Sequence, residues 1–325
     1  MAIEFFTGFE GCTADSHVHS FFNSASRVRL NTGQGYDGGK CAQIGYAPYN
    51  GSATKSIIPK KTQVIGFHIN NCQSNSYSAH LWDHLIRLTV GSDFIRIFNT
   101  ASGLEVYRNH ILIASCGYTI STNLHHVEVK VVSHETEGSI EIKIDTITVL
   151  QENNVNTGGD NITSLVLGGR SNREYYDNIF LADDWQGELK SHLILPTADD
   201  VVQFTPSAGA DNYALLQTND GDTSYVSSDI VDEQDLYEFG PDLGMFEVHA
   251  VSIVTVARKD DVGARNLQTV VEYDGIAYDL ESLNLPTSYP SVVGSAQMQC
   301  LSEAPNAAEW SPILINAMKA GFKVA

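Results

Sequence analysis

No run of about 18 apolar residues occurs anywhere in the 325-residue chain, so nothing in it reads as a membrane-spanning helix. Its start, MAIEFFTGFEG, lacks the basic-then-apolar order of a signal peptide, and no export by that route is expected. Cysteine is scarce. Cys12, Cys41, Cys72, Cys116 and Cys300 are odd in number, scattered and never in a CxxC pair, which fits neither a disulfide framework nor a zinc knuckle. They read as free thiols of a protein made in a reducing cytosol. Positive charge is scarce too. Nineteen Lys and Arg face 39 Asp and Glu, and a net charge of −20 sets nucleic acid and anionic membranes aside as partners. What is present is a core. With 42% hydrophobic residues, 14 Tyr and 13 Phe the chain is globular, and its length suits two domains.

The charge is uneven along the chain. Residues 1–195 carry 19 acidic and 14 basic groups, whereas 196–325 carry 20 and 5. Eleven acidic residues and no Lys or Arg lie between Thr197 and Asp242. This composition break near Pro196 divides the chain into 1–195, an acidic segment 196–243 and a last part, 244–325. The first part alternates with period two. In HHVEVKVV (125–132) Val127, Val129 and Val131 oppose Glu128 and Lys130, and in SIEIKIDTITVL (139–150) Ile140, Ile142 and Ile144 oppose Glu141 and Lys143. HETEG between them has hairpin length and ends in glycine. VIGFHI (64–69), HLIRLTV (84–90), DFIRIFN (93–99), LEVYRNHILIAS (104–115) and SLVLGG (164–169) read as further strands. Many short strands between Gly, Asn and Ser turns predict a mainly β, two-sheet sandwich.

Residues 206–243 are polar and acidic, with Tyr213, Tyr225, Tyr237 and Phe239 spaced among them, which predicts an extended arm anchored by aromatics rather than a disordered linker. FEVHAVSIVTVARK (246–259) predicts a strand and TVVEYDGIAYDL (269–280) a hairpin on Asp-Gly. WSPILINAMKAGFK (310–323) predicts a short helix with Ser311 as N-cap, Pro312 at its first position and Gly321 as its stop. The last part is a small β-rich unit closed by one helix.

Candidate chemistry is thin. Glu141 and Asp145 would share a strand face, but residues four apart on a strand lie about 13 Å apart, beyond a glycosidase pair. HLWDH (80–84) pairs two histidines without a third ligand or the glutamate of HExxH, and His17, His19, His125 and His126 read as structural or surface groups. AsnAspGlyAsp (219–222) resembles the start of a calcium loop without its distal carboxylate and reads as a turn. GlyGlnGlyTyrAspGlyGly (33–39) lacks a phosphate loop's lysine. No GxSxG or nucleophilic Cys/His arrangement stands out. On these grounds the chain is expected not to be an enzyme, and to need neither metal nor cofactor.

LHHVEVKVVSHETEGSIEIKID (124–145) resembles the paired strands of concanavalin-like, laminin-G-like jelly rolls, with Leu124 where a tryptophan is usual and Thr146 where a glycine is. GFEG (8–11), YYDNIFLADD (175–184), GELKSHLILPTADD (187–200), FTPSAGADNYALL (204–216), GDTSYVSS (221–228), VTVARKDDVGAR (254–265) and PNAAEWSPILINAMKAGFKV (305–324) follow in an order that resembles a group of tailed-bacteriophage virion proteins. That resemblance implies a concanavalin-like jelly roll, the acidic arm and the small C-terminal unit. It also implies a head-decorating or tail-associated structural role in the virion, with capsid or tail subunits as partners and a homo-oligomer, trimer first. Tyr213, Tyr225, Tyr237 and Phe239 would then be the arm's interface residues. The alternative is a receptor- or glycan-binding tail protein that meets a host surface glycan through the sandwich loops, with Trp82, Trp185 and Tyr36 as contacts. In YYDNIFLADDWQGEL (175–189) the apolar residues are expected to enter the sheet, AspAspTrpGlnGly to turn, and GELKSHLIL to return as a strand.

Overall fold

A computed structural model describes residues 3–325 except 13, 47–48, 73–83, 170–172, 210, 241–245, 264, 288–295, 302 and 305–308. The chain forms two compact units, Met1–Ser191 and His192–Ala325. The protein is mainly β, as the alternating patterns predict.

In the first unit the strands follow from the period-two text. An eight-stranded antiparallel sheet runs in the order Ile147–Val155, Gly138–Ile144, His125–Val132, Thr62–Asn70, Glu174–Ala182, Lys40–Ile44 and Val28–Thr32, with Ile3–Thr7 also pairing along Glu174–Ala182. A seven-stranded sheet runs Ile111–Cys116, Gly103–Arg108, Asp93–Thr100, Ile86–Val90, Ile162–Gly169, Gly51–Lys60 and Ser24–Ser26. Val129 opposite Ile142 and Val131 opposite Ile140 face inward and are fully buried. At about 1.5–3 kcal/mol per buried aliphatic side chain, that pairing supplies much of the sandwich's drive to close. Tyr176 also points inward, and its hydroxyl donates to the carbonyls of Leu85 and Gly168 in the opposite sheet, 3.1 and 2.7 Å away. The segment LEVYRNHILIAS is two strands, because Asn109 takes a left-handed turn (φ 54°) between them.

In the second unit a five-stranded sheet runs Ala198–Val201, Gln234–Glu238, Lys319–Val324, Asn266–Tyr273 and Ile276–Asn284. The acidic segment thus contributes two strands to it. Asp235, fully buried, organises this stretch: its carboxylate accepts the backbone N–H of Gln203 and Phe204, the Asn212 amide and the Tyr237 hydroxyl at 2.6–2.8 Å. The strand within 246–259 covers Val251–Val256. The helix is Pro312–Ala317, with the Ser311 hydroxyl accepting the Leu314 N–H as expected of an N-cap. Gly321 does not stop it. Met318 ends the helix in an extended conformation, and Gly321 lies inside the strand Lys319–Val324, where a Cβ would stand 1.9 Å from the Asp235 carbonyl oxygen.

Candidate functional site

Strand register places the site. His126 pairs with His68 and His68 with Asp177, so their side chains share the face of the eight-stranded sheet that points away from the core, while the neighbours Val127 and Phe67 point inward. The strand Glu174–Ala182 carries a bulge between Asp177 and Phe180, where Asn178 adopts φ 46°. A bulge re-aims a side chain, and here it turns Asn178 onto the same face. GELKSHLIL does not return as a strand. The segment 183–191 crosses this face as an irregular strap, because its N–H groups pair with side chains instead of a ladder. Glu128, buried, accepts the backbone N–H of Gln186 and Gly187 at 3.0 and 3.1 Å, and the Asn178 side-chain oxygen accepts the Ser191 N–H at 2.9 Å. Gly8 makes room for that anchor, since a Cβ there would lie 1.6 Å from Ser191 Oγ.

Under the strap and the loop 33–39, six residues converge. The Asn178 amide donates to His68 Nδ1 at 3.2 Å, which leaves the proton on Nε2, where it faces Glu188 Oε1 at 3.1 Å. Tyr36 stands edge-on to His68, ring centroids 4.6 Å apart, and the Lys190 ammonium lies 4.2 Å from the Tyr36 ring centroid. His126 lies 5.2 Å from His68, ring to ring. Its Nε2 is buried and has no hydrogen-bond partner among the described residues.

Burial sets the protonation states. It pushes both His68 and His126 below the usual imidazole range, against the attraction of Glu188 for His68 and of Glu128 for His126, so both rings are neutral. Burial also raises the Asp177 carboxyl from 3.8 to about 7, although its oxygens accept the N–H of Tyr36 and of Asn178, each at 2.8 Å. For Glu188 burial acts upward, but hydrogen bonds from His68 and Tyr36 outweigh it and hold the carboxyl low. The Tyr36 hydroxyl likewise raises Lys190. The result is a floor of neutral imidazoles with a rim of charged Glu188 and Lys190 beside Tyr36.

The sequence-predicted contacts are distributed as follows. Tyr36 lies in the site. Trp185 lies on the strap, half-exposed, with the Lys143 ammonium 3.7 Å and the Lys130 ammonium 5.8 Å from its ring centroid. Trp82, with His80, lies outside the described residues. Tyr237 is not offered to a partner: it is buried, its hydroxyl spent on Asp235. Phe239 is partly buried against the unit's core of Val271, Trp310 and Ile315, Tyr213 is half-buried, and Tyr225 is 39% exposed. Asp220 and Asp222 are engaged by Ser224 and Arg258, as in an ordinary turn. Sequence reasoning missed His68, Asn178, Glu188 and Lys190 and set His126 aside. Only the Asp-Asn pair inside an apolar strand, the mark of a bulge, could have pointed to them.

No family model and no curated protein matches the chain. Solved structures are similar to it in fold. They include an endo-β-1,4-glucuronan lyase from the fungus Trichoderma reesei (12% identity, 56% of this chain and 96% of that one, TM-score 0.42) and an alginate lyase (14%, 57% and 98%, 0.39). The calcium- and mannose-bound exoplasmic/lumenal domain of VIP36 is another (8%, 50% and 83%, 0.32). The likeness is one of fold, a jelly-roll sandwich, and it does not assign residues. The expectation that the chain is not an enzyme is corrected by this finding: two of the similar structures are a glucuronan lyase and an alginate lyase.

Proposed function

We infer that the first unit binds a polysaccharide across the outward face of its eight-stranded sheet, with Tyr36 and Trp185 as aromatic contacts and Glu188, Lys190 and His126 as polar ones. One observation carries the reading: His126 Nε2 is buried without a partner among the described residues, beside a rim of half-buried Tyr36 and exposed Glu188 and Lys190. A buried polar group without a partner is costly, and a sugar hydroxyl would satisfy it. Sugars combine hydroxyls with apolar CH faces, which suits an aromatic flanked by charged groups. The virion resemblance supplies a setting, a tail protein meeting a host surface polysaccharide. A glycan array followed by titration calorimetry tests the reading. Binding that weakens about tenfold in Tyr36→Ala and in Trp185→Ala, or 1.4 kcal/mol each, supports it, and a folded protein that retains no glycan refutes it.

A second reading, cleavage of the bound chain, is favoured by the Tyr36 hydroxyl, which interacts with both Glu188 and Lys190 beside a neutral imidazole. Such a set places a hydroxyl between an acid and a base, the arrangement general acid–base catalysis uses. Incubating the glycans that bind, and following new reducing ends together with ultraviolet absorbance of unsaturated sugar, separates elimination, hydrolysis and binding alone.

A further inference from the structure

At the start of the strand His125–Val132, beside His126, three side chains form a chain of short hydrogen bonds. Ser121 Oγ lies 2.7 Å from His125 Nε2, and His125 Nδ1 lies 2.7 Å from Asp145 Oδ2. The order is hydroxyl, imidazole, carboxylate, with each imidazole nitrogen engaged by one neighbour. With Nδ1–H held by the carboxylate, Nε2 is the free base that receives the Ser121 proton.

Both ends of the chain are fixed by the fold. Asp145 follows the strand Gly138–Ile144 in a left-handed turn (φ 49°), its N–H donates to the His126 carbonyl at 2.9 Å, and its Oδ1 accepts the His126 N–H at 2.9 Å. The carboxylate is therefore held by backbone on one side and aimed at His125 on the other. Ser121 follows Ile120, whose N–H and carbonyl are both bound by the buried Asn99 side chain at 2.9 Å. Thr122 offers its carbonyl to the Asn71 N–H at 3.1 Å. Ser121 is open to solvent, the His125 side chain is 13% exposed and that of Asp145 50%, and the Asn123 N–H, 3.2 Å from Ser121 Oγ, stabilises charge as the proton leaves.

We propose that Ser121, His125 and Asp145 form a nucleophilic site that hydrolyses a carboxylic ester. Ser121 Oγ bonds to the acyl carbon and its proton passes to His125 Nε2. The bond from that carbon to the alcohol oxygen then breaks, and the alcohol takes the proton from His125. Water, deprotonated by His125, attacks the acyl-serine, the carbon–Oγ bond breaks, Ser121 regains its proton and the free acid leaves. Ester and water give acid and alcohol, and no further reactant is needed. Residues 121–124 are all exposed, so the alcohol half lies in solvent and is unconstrained in size. That this half is an O-acylated sugar rests on the carbohydrate reading above; the ester chemistry does not.

The full chain is treated with a fluorophosphonate probe and the modified peptide located by mass spectrometry, and p-nitrophenyl acetate turnover is followed in parallel. The expected result is phosphonylation at Ser121, none at that peptide in Ser121→Ala, and turnover lowered at least 100-fold in Ser121→Ala and in His125→Ala. Asp145→Asn, which keeps the shape of the turn, lowers turnover at least tenfold with an unchanged melting temperature. A folded wild-type protein in which Ser121 stays unlabelled, or ester turnover that survives Ser121→Ala, overturns the proposal. Glycan binding is read separately, so loss of one result leaves the other standing.

Discussion

Replacing Asp177 by Asn removes an ionisable group whose charge burial disfavours, and the telling effect should be a change in pH dependence. The carboxyl is 2% exposed and burial raises it from 3.8 to about 7. Because the folded state holds the proton more tightly than the unfolded chain, this group's contribution to stability is fully present below pH 3.8 and is lost as pH rises through about 7. At about 1.4 kcal/mol per pH unit between those limits, the wild-type protein should lose on the order of 2–3 kcal/mol from this source between pH 5 and pH 8. His68 and His126, lowered by burial, act in the opposite direction: their contribution is present above the unfolded imidazole value and fades as pH falls. Raw profiles therefore mix the two, and the informative quantity is the difference between wild type and Asp177→Asn, in which the histidine part is common. Asparagine keeps one acceptor for the N–H groups of Tyr36 and Asn178 and gives up the other, so at pH 5 the variant should be the weaker protein by about 1–2 kcal/mol. By pH 8 it should have drawn level or passed the wild type. Urea unfolding at pH 5, 6, 7 and 8, followed by a probe in the first unit, measures this, and parallel profiles for the two proteins would refute the assignment of a buried, high-affinity proton to Asp177.

Three further outcomes are expected. Glu128→Ala leaves the Gln186 and Gly187 N–H groups without their acceptor, costing about 1–3 kcal/mol, and amide exchange should speed up at those two residues before any change in the core strands. Gly66→Ala would drive a methyl to within about 2 Å of the Phe180 ring, so thermal unfolding should drop by the equivalent of about 1–3 kcal/mol, with partial recovery in Gly66→Ala/Phe180→Leu. Asp235→Ala strands four donors in a fully buried place and should cost more than about 3 kcal/mol. Limited proteolysis should then cut within 192–325 while the first unit stays intact.

The fold was legible because its strands advertise themselves. Val127, Val129 and Val131 against Ile140, Ile142 and Ile144 leave one solution, a hairpin buried on one side, and the structure has it. The helix at Pro312 was legible for a similarly local reason, since Ser311 caps the turn that follows it. Gly321 was misread because a glycine that ends a helix and one that admits a neighbouring strand's carbonyl look alike in one dimension.

The sites were illegible for a different reason. His68 and His126 are 58 positions apart in the sequence and adjacent only through strand register, and Asp145 reaches His125, and through it Ser121, only because the hairpin turns back beside the residue after His125. The sequence comparison of Glu141 with Asp145 assumed one strand face and measured along it. Asp145 in fact leaves the strand, and its φ of 49° turns the carboxylate towards His125. On an antiparallel sandwich, chemistry is gathered across strands and at their ends, so a search for motifs along the chain looks in the direction in which the functional groups are farthest apart. The informative marks are the local breaks in the alternation, Asp177-Asn178 within an apolar strand and Asp145-Thr146 after one. At both the backbone leaves the sheet geometry and hands a carboxylate or amide to a histidine on the neighbouring strand.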